Sequence, residues 1–220
     1  AYGSSLNDDA LHSAIATARD DYGIVTVCAG GNGNQTTGLP NTDHMYPADF
    51  DECVAVTALT SEGANIVWSD YNPSKDISAP GQSICSTNYA AATKYSRASG
   101  TSEASPLVSG VFALLFSAAP SVSVDEACDA VYATAKPIDD AKNDRTRPDA
   151  SGVVSGSHGA IDAGAAVEYL LNERNHLMRF TDVSAGDWFY DAVRFVVARD
   201  IMHGIDNTGE FWPSVGTTRA

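Results

Sequence analysis

Apolar residues at Leu11, Ala14, Ile15 and Ala18 recur at helical spacing and predict an amphipathic helix over Leu6 to Tyr22, with Ser5 or Asn7 as N-cap and Gly23 at its exit. Ile24 to Ala29 follows as a short, almost wholly apolar run rich in β-branched residues, the pattern of a buried parallel strand, and Gly30-Gly31-Asn32-Gly33-Asn34 ends it. A second such strand is expected from Cys53 to Leu59, and a third extended piece, Asp76 to Ala79, stops at Pro80-Gly81. From Ser102 to Ala118 the pattern is helical again, with Leu107, Val108, Val111, Leu114 and Leu115 on one broad apolar face and Ser102 at the N-terminal end. Ser123 and Glu126 have the spacing that satisfies two orphan amides reciprocally, so another helix is expected from there to about Ala135. Lys136 to Gly159 is aperiodic and rich in Asp, Gly, Ser and Pro, a surface loop before a helix at Ala160 to Leu171. Helices alternating with buried strands indicate an α/β layered domain around a mainly parallel sheet.

The pattern changes after Asn175, and two of the three tryptophans, Trp188 and Trp212, fall in the last fifth of the chain. A domain of residues 1–175 and a small helical unit of residues 176–220 are therefore expected. With 13 basic against 28 acidic residues the formal charge is −15, which repels phosphate backbones and anionic lipid and argues against nucleic acid or membrane surfaces as partners. No apolar stretch reaches the roughly 18 residues of a membrane span. Cys28, Cys53, Cys85 and Cys128 form no C-x-x-C pair, and buried free thiols account for them, although an even count leaves pairing open. The sequence starts at Ala1 without a signal-peptide pattern and ends at Thr217-Thr218-Arg219-Ala220, and both ends read as cut from something longer.

Two segments carry candidate chemistry. In Gly100-Thr101-Ser102, a serine at a helix N-terminus meets unpaired amides and the positive end of the helix dipole, which favour negative charge on an attacked carbonyl oxygen. The same placement is ordinary N-cap geometry. In Ala29-Gly30-Gly31-Asn32, Asn32 offers a side-chain donor at the C-terminal end of a strand, where open α/β sheets bind ligands. A glycine-rich turn with Asn in a left-handed conformation explains that segment equally well. Neither G-x-G-x-x-G nor G-x-S-x-G is present.

Taken in order, Ala29-Gly30-Gly31-Asn32, Tyr46-Pro47-Ala48, Val54-Ala55-Val56, Trp68-Ser69, Ala79-Pro80-Gly81, Gly100-Thr101-Ser102, Ala104-Ser105-Pro106 and Gly159-Ala160-Ile161-Asp162-Ala163 resemble the subtilisin-like serine proteases, or subtilases. The resemblance covers about Ala1 to Leu171 and implies the three-layer α/β fold of that family, here without its N-terminal part. It implies that Ser102 is the acyl-forming nucleophile and that Asn32 is the side-chain half of the oxyanion hole. Tyr2, Gly3, Ala29, Gly30 and Gly31 then correspond to substrate-binding backbone. The family's Asp-Ser/Thr-Gly and His-Gly-Thr-His segments do not precede Ser102, so the triad aspartate and histidine are not in this chain. His12 and His44 read as surface residues, and His158, His176 and His203 follow Ser102 without family context. Two departures stand out: Glu103 where many relatives carry methionine, and Leu107 where many carry histidine.

Phe180-Thr181-Asp182-Val183, Asp187 to Val193, Ile201-Met202-His203-Gly204, Phe211-Trp212-Pro213 and Thr217 to Ala220 resemble the S-layer homology repeat. That family docks on cell-wall polysaccharide, and the resemblance gives Arg219 to an acidic sugar substituent. The expected parent is thus an extracellular serine endopeptidase at a bacterial cell surface, acting on peptides or proteins, with this chain inactive alone. A catalytically dead subtilase scaffold and a wall-adhesion protein are the alternatives. Catalysis by such an enzyme needs no cofactor. Structural calcium is compatible with the family, and Asp139 to Asp149 is a candidate by composition alone, although a solvated loop accounts for the same residues.

Overall fold

The computed structural model describes residues 3–34, 36–138, 158–176, 180–184, 186–198, 202 and 209–212. Three parallel strands, β1 (Thr26–Ala29), β2 (Cys53–Leu59) and β3 (Ile77–Pro80), form a sheet in the order β1-β2-β3. Every residue of β2 is buried, as a run apolar but for Thr57 requires of a strand covered on both faces, and the Thr57 hydroxyl is satisfied by Ser78 Oγ at 2.6 Å. Alternate side chains point to opposite layers. Val54, Val56 and Ala58 face α2 (Thr101–Ala118), α3 (Val124–Ala133) and α4 (Ala163–His176), while Cys53 joins Phe50 and Ile15 of α1 (Asp9–Asp20) on the other side. Helices on both faces of a parallel sheet make the three layers.

Several elements differ locally from expectation. The N-cap of α1 is Asp8, whose carboxylate accepts from the amides of Ala10 and Leu11, rather than Ser5 or Asn7, and the helix starts at Asp9 rather than Leu6. β1 is half-buried rather than buried, since it is an edge strand among the described residues. Beside it a groove of about 340 Å³ lies between Ile24, Val25, Val27 and Phe112 and Phe116 of α2, with Ile24 and Leu114 more than half exposed. A hairpin of β4 (Ile84–Thr87) and β5 (Tyr95–Ala98), unanticipated from the sequence, pairs antiparallel before α2. At α3 the expected reciprocal cap is present: Ser123 Oγ accepts from the Glu126 amide at 3.2 Å and Glu126 Oε2 accepts from the Ser123 amide at 2.8 Å. α5 (Tyr190–Ala198) follows in the C-terminal unit, where Asp182 accepts from the amides of Phe211 and Trp212 at 2.8 and 2.6 Å. No helix among the described residues is long and apolar enough to cross a membrane.

Candidate active site

The site begins where β1 ends. The Gly30 amide continues the ladder to Val56 O at 2.8 Å, and a Cβ there would lie 2.8 Å from that oxygen and 3.3 Å from Lys75 Cδ. Gly31 has φ +114°, and its Cβ would fall 2.0 Å from Asp70 Oδ2, so only glycine fits. The positive φ angles fall on Gly31 and Gly33 and not on Asn32, which removes the left-handed turn as the reason for asparagine at that position.

Asn32 is instead tied to the start of α2. Its Oδ1 accepts from both the amide and the hydroxyl of Thr101, each at 2.8 Å, and Thr101 Oγ1 in turn accepts from the Gly31 amide at 3.2 Å. With the carbonyl committed to buried Thr101, the Nδ2 end of the amide faces the opposite way. The N-cap of α2 is Gly100, without a side-chain cap, and its amide donates to Gly81 O at 2.9 Å. Ser102 is the second helical residue, half-buried, and does not cap the helix.

A Cβ built on Gly100 would stand 3.3 Å from Asn32 Nδ2, 3.5 Å from Ser102 N and 2.6 Å from Glu103 Oε2. Neither Asn32 Nδ2 nor the Ser102 amide has an acceptor among the described residues. Two free donors and the Glu103 carboxylate therefore lie close together around Gly100, just before the serine; the donors suit an oxygen that gains negative charge, whereas the carboxylate beside them does not.

Of the residues expected to bind substrate, Ala29, Gly30 and Gly31 line this turn. Gly3 adjoins the bridge in which Ser4 and Tyr46 exchange backbone bonds of 2.9 and 2.8 Å, and a Gly3 Cβ would meet Met45 Sδ at 2.9 Å. Tyr2, Arg219, His203 and the acidic loop 139–149 lie outside the described residues. His12 stacks on Phe50 and bonds Glu52 at 2.8 Å, His44 bonds Asp49 at 3.2 Å, and His158 stacks on Tyr132; none bonds Ser102. Among the described residues no three His, Cys, Asp or Glu side chains gather at a point that could hold a metal. All four cysteines are free, with Cys28 and Cys53 Sγ 3.8 Å apart and burial pushing the Cys128 thiol up to about 11.

Three buried charged residues, Lys75, Asp49 and Asp70, support the glycine turn, and sequence reasoning missed all of them. Lys75 and Asp49 are paired with their side chains fully buried, and the Lys75 stem passes beneath Gly30. Asp49 also accepts from the Met45 amide at 2.9 Å and Asn72 Nδ2 at 2.8 Å. Asp70 accepts from the Asn41 amide at 2.7 Å, while its Oδ2, packed on Gly31, has no hydrogen-bond partner among the described residues. Burial holds the Asp70 carboxyl above the usual carboxylate range, against the pull of the Asn41 and Gly33 amides and the Lys75 charge. Between the ordinary and the raised value the folded chain keeps a proton that the unfolded chain has lost. Stability therefore falls as pH rises through that window and stays reduced above it. Asp70→Asn is expected to remove this decline, so that its gain in Tm over the parent grows from pH 4 towards neutrality. A gain that is the same at every pH would assign the effect to something other than this carboxyl.

Comparison with known proteins agrees with the fold. The model of the Subtilase family matches residues 1–169 and that of the S-layer homology domain matches residues 179–220. An extracellular protease of Xanthomonas campestris pv. campestris is 35% identical over 176 residues, covering 77% of this chain and 27% of that protein. Subtilisin DY of Bacillus licheniformis is 36% identical over 138 residues, covering 63% of this chain and 47% of its own length. This chain thus spans less than half of these relatives. Among solved structures, the prenylagaramide maturation protease PagA superposes with TM-score 0.60 at 26% identity, over 76% of this chain and 57% of that one. A protease from Pseudoalteromonas arctica gives 0.63 at 26% identity, over 77% and 49%. With its family model matched along three quarters of its length, the chain belongs to the subtilase family and continues into an S-layer homology domain.

Proposed function

We propose that this chain is the nucleophile-bearing half of a serine endopeptidase, with Ser102 as nucleophile and with Asn32 Nδ2 and the Ser102 amide as its oxyanion hole. The observation that carries the reading is the pair of unused donors converging beside Ser102. In the acylation step Ser102 Oγ bonds to the scissile carbonyl carbon, the π pair of the carbonyl moves onto its oxygen, and the serine proton passes to a base. The base and its orienting aspartate come from sequence N-terminal to this chain, which would also pack on the apolar groove beside β1. Gly3 and the turn Ala29 to Gly31 bind the substrate backbone, and Tyr2 belongs with them. The protease unit ends near residue 175 and the S-layer homology unit follows at residues 176–220.

Labelling with a fluorophosphonate probe, followed by peptide mapping, tests this. Ser102 is expected to be labelled in the full-length protein and unlabelled in chain 1–220. Labelled chain 1–220 that also turns over peptide would place the base within these residues. A full-length protein with no label on Ser102 would favour the inactive scaffold.

On this reading the enzyme works outside the cell, held on wall polysaccharide through its S-layer homology unit, and the match of residues 179–220 to that domain supports it. Sedimentation with purified wall polysaccharide is expected for a chain extended through further repeats and weakened by Arg219→Ala, whereas chain 1–220 stays in the supernatant. Equal sedimentation of short and extended chains would refute this use of the unit.

A further inference from the structure

Cys28 of β1 and Cys53 of β2 hold their sulfurs 3.8 Å apart, and neither thiol takes part in the proposed reaction. Both side chains face the α1 layer, among Leu11, Ile15, Tyr46 and Phe50. The strand register sets Cys28 opposite Ala55 and Cys53 two residues before Ala55, so the pair is diagonal rather than directly opposed. Parallel strands roughly 4.8 Å apart, rising about 3.3 Å per residue, separate the Cα atoms of such a pair by about 8 Å. A disulfide spans at most about 7 Å, so these two thiols converge without being able to close on each other unless the backbone moves. The gap does suit an atom between them. An ion roughly 2.3 Å from each sulfur, the length of a zinc–thiolate bond, subtends an S–metal–S angle of about 111° at the observed 3.8 Å, which is close to tetrahedral.

We propose that Cys28 and Cys53 form a dithiolate site for a soft, thiophilic d10 cation. Thiolate sulfur selects such ions over hard, oxygen-seeking ones such as calcium. Binding makes two metal–sulfur bonds and releases the two thiol protons to solvent, with no change of oxidation state. A cavity of about 290 Å³ lined by Phe50, Asp51, Cys53, Pro73, Ser74 and Asp76 reaches the Cys53 side of the pair. The carboxylates of Asp51 and Asp76 favour entry of a cation there. Among the described residues no third ligating side chain joins the thiols, so water from this cavity completes the coordination. The bound ion ties the edge strand β1 to β2 at the residue just before the turn Ala29 to Asn32, and it stabilises the folded chain by mass action. The site is independent of the protease reading.

The test is titration of the reduced full-length protein with cadmium chloride under argon. Binding is read by ultraviolet thiolate-to-cadmium charge transfer and, at one equivalent, by X-ray absorption at the cadmium edge. Two sulfur neighbours per ion and a rise in Tm are expected. Cys28→Ser and Cys53→Ser should each weaken binding by about 10² to 10⁴, the range lost when two linked contacts become one. Cys85→Ser removes an exposed thiol and should bind as the parent does. Cys28→Ala and Cys53→Ala, which bury no hydroxyl, repeat the measurement should a serine variant not fold. Excess calcium is expected not to compete. Undiminished binding in the Cys28 or Cys53 variants, or a sulfur count other than two, overturns the proposal. So does displacement by calcium, which would assign the ion to carboxylates. A Cys28–Cys53 disulfide recovered by peptide mapping after exposure to air would overturn it as well, since the thiols would then close on each other. None of these results bears on labelling of Ser102.

Discussion

Asn32→Leu in the full-length protein is expected to lower kcat by about 10² to 10³ while KM barely moves, because one donor aimed at a developing oxyanion is worth roughly 3 to 4 kcal/mol and acts only once charge appears. Leucine also removes the acceptor for Thr101. Asn32→Asp separates these two roles, since aspartate can still receive both Thr101 bonds but presents no donor to the reacting oxygen. Both variants are expected to lose kcat, and only the leucine variant to lose thermal stability as well. Unchanged kcat in either would show that Asn32 serves the fold alone, and a loss confined to KM would assign it to ground-state binding.

Lys75→Met is expected to destabilise the chain by about 3 to 5 kcal/mol, the range for leaving one member of a buried ion pair behind. Asp49 would keep the Met45 amide and Asn72 on one oxygen but lose the Lys75 ammonium from the other, so the lower end of the range is the better expectation. Asp49→Asn combined with Lys75→Met should recover part of the loss, because no net charge is then stranded. Chemical denaturation of the parent, both single variants and the double variant gives the coupling directly. Additive losses would mean that the pair carries no specific energy. Since the lysine stem lies beneath Gly30, the single variant should also slow labelling of Ser102 at temperatures where the chain is still folded.

The sequence was read best where one property repeats along several residues. β2 matches its expected bounds because its seven consecutive buried positions are apolar but for Thr57. Ser123 and Glu126 announced a cap whose partners are only three residues apart. Long-range partners left no comparable mark. Lys75 reads as a surface residue until Asp49, 26 positions earlier, is seen to fold against it. The β4–β5 hairpin went unread because its residues are nearly all exposed, so burial wrote no alternation into them. In the candidate site, the motif pointed to Asn32 and Ser102, but which end of the Asn32 amide meets Ser102 depends on Thr101, 69 residues away. Glu103 was legible as a departure from the family and not as a group placed over Gly100.

The two hydrogen bonds from Thr101 to Asn32 bear on error tolerance. An amide's two ends have nearly the same shape and opposite polarity, so a half-turn about its last torsion would present oxygen in place of nitrogen to the reacting centre. Thr101 makes that half-turn cost two hydrogen bonds at once. Serine there keeps both and should preserve the setting. Valine keeps only the backbone bond, so some molecules would hold the amide inverted and inactive without any loss of fold. Such a population appears in titration of active sites as a fraction below one, with the remaining sites turning over at the parent rate.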